Sequence, residues 1–257
     1  MVLNSDNQFS YAQATDVGCV RELNEDSIYS ELGLWLLADG MGGHACGEIA
    51  SALAIEEVRS SLSAGSPLDS AIQASHKKII DAGNSNSSRT GMGTTIVALS
   101  SDHTNYQLAW VGDSRAYLWD KTQNDLTQIS EDHSLMVRLI NAGLISEQDA
   151  LTHPQRHMIT QCLGSVEIEQ VKVDQLNNEW QYQQQILLCS DGLSDEVSKT
   201  RIAEIMAAEV NLDEKCSKLI ESAKNGGGKD NISVIIIDSP IQKAPNILSR
   251  IQKRIGY

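Results

Sequence analysis

The chain has 257 residues, a formal net charge of −14 and only one Phe, four Trp and six Tyr. Its length allows one large domain or two small ones, and four prolines without long linkers favour one, with a core of Leu, Ile, Val and Ala. The acidity excludes a general basic nucleic-acid footprint and attraction to anionic membranes, and no apolar run approaches the roughly 18 residues of a membrane span.

In chain order, residues 8–37 read as two strands around a polar turn carrying Asn24-Glu25-Asp26. Within them the apolar run Leu34-Trp35-Leu36-Leu37-Ala38 is a buried strand that ends on Asp39. Glu48 to Leu62 reads as a helix because Ile49, Leu53 and Val58 recur near helical spacing. Pro67 restarts the chain, and Leu68 to Ala82 is a second helix, an expected antiparallel neighbour of the first. After the polar loop Asn84 to Thr90, strands are expected at Gly93 to Ser100, Tyr106 to Val111 and Ala116 to Trp119. The Gly112-Asp113-Ser114-Arg115 turn between the last two suggests a hairpin.

From Glu131 to Gly164 the pattern changes to short amphipathic pieces rich in His, Gln and Arg, an excursion from the sheet. Strands resume at Val171-Val173 and Gln185 to Cys189. Helices follow at Thr200 to Glu209 and Asp213 to Lys224, and a β-branched strand runs from Asn231 to Asp238. A basic helix or tail, 243–257, closes the chain beyond an expected domain at 1–242. This order of strands and helix pairs indicates a layered α+β fold and not a doubly wound parallel sheet.

Four segments share one design: Asp39-Gly40-Met41-Gly42-Gly43-His44, Val111-Gly112-Asp113-Ser114, Ser190-Asp191-Gly192 and Gly228-Lys229-Asp230-Asn231. Each sets an Asp where an apolar strand meets a glycine-containing turn. Asp-Gly pairs are common in ordinary turns, so each alone says little. Together they suggest carboxylate ligands for hard divalent ions such as Mg²⁺ or Mn²⁺. Two such ions can acidify a water and aim it in line at phosphorus, while offsetting phosphoryl charge. Arg21, just before Glu25-Asp26, offers a guanidinium fork for phosphate, and His44 offers a proton for the leaving alkoxide.

Thr15-Asp16-Val17-Gly18, Arg21, Asn24-Glu25-Asp26, Asp39 to His44, Gly93-Thr94-Thr95, Val111 to Arg115, Ser190-Asp191-Gly192 and Asp230-Asn231 occur in this order. The set, spanning roughly 10–238, resembles the bacterial form of the metal-dependent serine/threonine protein phosphatases of the protein phosphatase 2C, or PPM, family. The resemblance implies a four-layer αββα sandwich, a central antiparallel β-sandwich flanked by helix pairs, with metals at one end. It implies that Asp39 bridges two Mn²⁺ or Mg²⁺ ions, that Gly40 lends its carbonyl oxygen, and that Asp191 and Asp230 ligate the first ion. Asp113, with Asp191, would hold a third, looser ion, and Glu25 and Asp26 would act mostly through water. Arg21 matches the phosphate-binding arginine, and His44 a histidine assigned to proton donation or substrate contact. The excursion at about 131–165 matches a variable flap, in which His157 stands where Asn is frequent and Gln161 where Arg is frequent.

The implied activity is hydrolysis of phosphoserine and phosphothreonine in proteins, opposing a Hanks-type serine/threonine kinase. A stand-alone cytoplasmic monomer is expected, since the N-terminus lacks signal-peptide regions and the five scattered cysteines contain no CxxC pair. A pseudophosphatase that only binds phosphoproteins is the alternative, but it would lack one of Asp39, Asp191 or Asp230, and all are present. A cysteine phosphatase needs an Arg six residues after its Cys, and a phosphatase with an aspartyl nucleophile needs DxDx[TV]; neither motif occurs. A calcineurin-like enzyme needs GDxHG, which Gly112-Asp113 matches only in its first two letters. His133, His153 and His157 lack zinc-site spacing and read as solvated flap residues. Asp16 is either a turn residue or an indirect metal partner. Gly93-Thr94-Thr95 reads as structural, and Cys46 and Cys189 as small buried residues more than as a redox switch.

Overall fold

The computed structural model describes residues 9–42 and 46–242; His44 and the segment 243–257 lie outside them. The strands are β1 (Tyr11–Asp16), β2 (Asp26–Glu31), β3 (Leu34–Met41), β4 (Gly93–Thr94), β5 (Ile96–Ser101), β6 (Asn105–Val111), β7 (Arg115–Asp120), β8 (Asp125–Gln128), β9 (Asp174–Glu179), β10 (Gln184–Cys189) and β11 (Ile232–Asp238). One sheet has the order β1-β11-β10-β7-β8. The other runs β2-β3-β5-β6-β9, with β4 paired to β3. All of these pairings are antiparallel.

Alternation of side chains along each strand builds the layers. Trp35, Leu37, Val97, Leu99 and Leu108 from one sheet meet Ile186, Leu188, Ile235 and Ile237 from the other. Their neighbours Leu36, Ala38, Ile96 and Ala98 point the opposite way, onto α1 (Gly47–Ser63) and α2 (Leu68–Ser85). Leu187, Val234 and Ile236 likewise face α6 (Lys199–Ala207) and α7 (Leu212–Gly226), which follow the short helices α3 (Leu135–Asn141), α4 (Glu147–Ala150) and α5 (Asp191–Ser194). Central strands covered on both faces read as continuous apolar runs, which is why β3, β10 and β11 stood out in the sequence. The result is the expected four-layer αββα sandwich. Among the described residues, no helix is long and apolar enough to cross a membrane.

Several local expectations need correction. Residues 8–37 hold parts of three strands, because Gly33, at φ 89°, turns the chain tightly between β2 and β3. The turn at Gly112–Ser114 does not close a hairpin: β6 and β7 belong to different sheets, and the turn carries the chain from one to the other. Val171-Val173 forms no strand; Val171 is buried against the α1–α2 layer, and pairing begins at β9. The expected strand at Gly93 to Ser100 breaks at Thr95, whose hydrogen bonds go to Asp39. The short elements β8 and α5 carry too few apolar positions to show a period.

Leu37 is fully buried between the sheets. Leu37→Ala should lower unfolding stability by about 2–5 kcal/mol through lost transfer energy and a residual cavity. A denaturant midpoint equal to that of the unsubstituted protein would contradict this packing.

Candidate metal and phosphate site

The end of β3 carries Asp39, directly across the ladder from Asp26 on β2. Three hydrogen bonds hold the Asp39 backbone. Its N–H donates to Thr95 Oγ1 at 3.1 Å, and its carbonyl accepts from Thr95 N–H at 2.9 Å and from Thr94 Oγ1 at 2.8 Å. Thr95 Oγ1 also shares a 2.7 Å hydrogen bond with Ser114 Oγ. The strand break at Thr95 therefore serves the site: it directs the hydroxyl to Asp39 and links Asp39 to the turn that holds Asp113.

Gly40 is required by close approach. A Cβ there would overlap the Gly47 carbonyl at the start of α1 and lie 2.5 Å from the Glu25 carbonyl oxygen. Glu25 fastens this junction, accepting the Gly40 N–H on its backbone oxygen at 3.2 Å and the Gly47 N–H on Oε1 at 3.1 Å. A carboxylate at a helix N-terminus satisfies an otherwise orphan donor and meets the positive end of the helix dipole.

Asp113 sits on the turn between the sheets, where Gly112, at φ 108°, packs directly on Thr95. Asp191 opens α5 next to Ser190, whose hydroxyl donates to Asp26 Oδ2 at 2.9 Å. Asp230 precedes β11, and its Oδ2 accepts from Arg21 Nη2 at 2.7 Å. The same guanidinium lies 3.6 Å from Glu25.

Arg21, Glu25, Asp39, Gly40, Asp113, Asp191 and Asp230 line one cleft of about 320 Å³ at the end of the sandwich, joined by His157 and Ile159 from the 131–165 excursion. Enclosure by protein, and then the charge of neighbouring carboxylates, raises the pKa of Asp39, Asp113 and Asp191 in the cleft and of Asp26 beside it. Asp39 stands well above the ordinary 3.8, first through desolvation and then through repulsion from Asp26, Asp191, Asp113 and Asp230. Desolvation followed by neighbouring charge takes Asp113 to about 8 and Asp191 to about 6. Asp26 reaches about 7, again chiefly through desolvation, against the opposing Ser233 and Ser190 hydrogen bonds. One Asp26 oxygen, Oδ1, is buried without a hydrogen-bond partner. Among the described residues, no three His, Cys, Asp or Glu groups are gathered tightly enough to hold one ion, and Arg21 meets part of the negative charge. The donor set is nevertheless all oxygen, crowded and under-neutralised, which fits hard divalent cations.

The remaining expected residues divide clearly. Asp16 lies outside the cleft, accepting from Gly18 N–H at 2.9 Å and pairing with Lys224 at 2.9 Å, so it is a turn residue. His133 is not a solvated flap residue. It is buried, with Nδ1 accepting the Gly112 N–H at 3.2 Å and Nε2 facing Asp174 at 3.2 Å. His157 is exposed at the cleft and pairs with Asp195 at 2.9 Å, while His153 accepts the Gln155 N–H. Cys46 and Cys189 are buried, and burial pushes the Cys189 thiol up to about 12, far from thiolate chemistry at neutral pH. Sequence reasoning assigned no role to Ser114, Ser190 or Asn231, whose side chains hold the acidic segments in place. Their signal was a place beside Asp113, Asp191 and Asp230 within the ordered motifs.

Residues 6–136 match the family described as protein phosphatase 2C. The serine/threonine protein phosphatase PstP of Mycobacterium tuberculosis is 38% identical over 235 residues, covering 89% of this chain and 44% of PstP. The chain thus spans under half the length of that relative. The serine/threonine phosphatase stp of Listeria monocytogenes is 37% identical over 241 residues, covering 87% of this chain and 93% of that protein. A crystal structure of the M. tuberculosis phosphatase superposes with TM-score 0.83 at 37% identity, covering 92% of this chain and all of that one. The PstP catalytic domain in complex with two manganese ions gives TM-score 0.79 at 36% identity, covering 90% of this chain and 98% of that one. With this fold, this cleft and these relatives, the chain belongs to the protein phosphatase 2C family.

Proposed function

We propose that this chain hydrolyses phosphoserine and phosphothreonine in proteins, using Mn²⁺ or Mg²⁺. The observation that carries the reading is the convergence of Asp39, Asp113, Asp191 and Asp230, from four distant segments, on one cleft that also holds Arg21. The relatives' names, serine/threonine phosphatases, and the two manganese ions of the PstP domain support it.

Asp39, Asp191 and Asp230, with the Gly40 carbonyl, would hold two ions; Asp113 with Asp191 would hold a third. Glu25 and Asp26 would act through water, Asp26 offering its unpartnered Oδ1. Bound there, such ions lower the pKa of water and offset charge on phosphoryl oxygens. The protein's own residues do the rest. The threonine clamp fixes Asp39 against movement. Arg21 exchanges its Asp230 partner for the substrate phosphate, where its fork reads two oxygens at once. His44 would either donate the proton to the leaving seryl or threonyl oxygen or contact the substrate. The substrates are those of a Hanks-type kinase, and the enzyme works as a cytoplasmic monomer.

Losing even an outer-shell partner of a metal typically costs about 10–100-fold. Asp39→Asn and Asp191→Asn should therefore lose more than about a hundredfold in turnover of a phosphothreonine peptide at saturating Mn²⁺. Turnover near the unsubstituted level would contradict the assignment. Arg21→Ala should chiefly raise KM, by about tenfold or more, since a charged hydrogen bond contributes about 1.5–3 kcal/mol. An unchanged KM would remove Arg21 from phosphate binding.

Metal-free protein gives a readout without catalysis. Asp26, Asp113 and Asp191 keep their protons to about 7, 8 and 6 when folded, against an ordinary 3.8. Their contribution to stability is complete below the ordinary value and is lost as pH rises through the folded ones. The urea midpoint in chelator should fall between about pH 5 and pH 8, and Mn²⁺ should restore most of the loss at the upper end. A flat profile in chelator would contradict the crowding.

A further inference from the structure

The loop between β1 and β2 carries Arg21 in irregular backbone, and the Arg21 side chain is 46% exposed. Packing alone does not fix where that guanidinium stands. Both legs of the loop, however, end on one buried side chain. Asn231, 3% exposed at the head of β11, donates through Nδ2 to the Val17 carbonyl at 3.0 Å and to the Leu23 carbonyl at 2.9 Å. Its Oδ1 accepts the Glu25 N–H at 2.7 Å. Both donors of the amide are used, and both go to carbonyls on opposite sides of Arg21. Aspartate is isosteric but has no donor for either carbonyl.

We infer that Asn231 is a positioning residue: a side-chain staple that sets the Arg21 loop, and with it the Glu25 junction at α1, against the strand that presents Asp230. This rests on the phosphate-reading role of Arg21 proposed above. The neighbouring Asp230 and Asn231 then divide the work. Asp230 faces the cleft and Arg21, while Asn231 faces inward and holds the backbone on which Arg21 is mounted. Two further contacts define the same seam. Cys19 N–H donates to the Gly228 carbonyl at 2.7 Å, and a Cβ on Gly18 would overlap the Asp230 carbonyl, so the loop lies directly on the Gly228–Asp230 backbone.

The test is a double-mutant cycle with an aryl phosphate at saturating Mn²⁺. Asn231→Ala should raise KM roughly tenfold, a cost typical of removing an orienting partner. In an Arg21→Ala background the same change should alter KM by less than about twofold, because its target is already gone. Equal effects in both backgrounds, or none in either, would overturn the inference. Amide hydrogen exchange gives a second readout that needs no substrate, and its first comparison needs no variant. In the unsubstituted protein the Glu25 amide should exchange far more slowly than that of exposed Glu22, and in Asn231→Ala the segment 17–25 should lose protection while β11 keeps it. Rapid exchange at Glu25 in the unsubstituted protein would overturn the staple. An Arg21→Ala enzyme with unchanged KM would instead sink the phosphate-reading role, a separate failure, since the exchange readout does not involve substrate.

Discussion

Asp39, Asp113, Asp191 and Asp230 repel one another, and a fold that brings them to one cleft must hold each by contacts the repulsion cannot break. Apart from the Arg21–Asp230 ion pair, the holding contacts are made by backbone and by small neutral side chains. Thr94 and Thr95 clamp the Asp39 peptide, Thr95 meets Ser114 beside Asp113, and Ser190 joins Asp26 to the Asp191 segment. None of these contacts neutralises the cluster. The raised pKa values of Asp39, Asp113 and Asp191 are the electrostatic trace of that arrangement, and a divalent cation relieves it more effectively than a single arginine does.

Topology places the cluster at one end of the sandwich. The turn at Gly112–Ser114 leaves one sheet and enters the other, so Asp113 stands where the two sheets part. Asp39 arrives at the end of β3 from the first sheet, and Asp191 and Asp230 flank β10 and β11 of the second. The inter-sheet core, Leu37 and Ile235 among its members, thereby holds the two halves of the site in register. Stability of the sandwich and geometry of the cleft are for this reason the same physical problem.

Much of this was legible because buried strands announce themselves as apolar runs and because four Asp residues at strand ends beside glycine turns, each uninformative alone, occur together in one chain. The α1 and α2 helices were found within a few residues of their ends, the first from apolar residues near helical spacing and the second from the restart at Pro67. What escaped was set by contacts distant in sequence. Nothing local tells a turn that closes a hairpin from one that changes sheets, so the Asp113 turn was misread. His133 lies in a polar stretch and looks solvated, yet the Gly112 amide and Asp174 bury it. Asn231 reads as an ordinary strand-end residue until Val17, Leu23 and Glu25, more than two hundred positions away, are seen to converge on its amide.

The most direct measurement is anomalous diffraction at the manganese edge from crystals soaked in Mn²⁺. The account predicts at least two strong peaks in the cleft, one within bonding reach of both Asp191 and Asp230 and another sharing Asp39. Peaks only at surface carboxylates, with the cleft dark at saturating Mn²⁺, would contradict it.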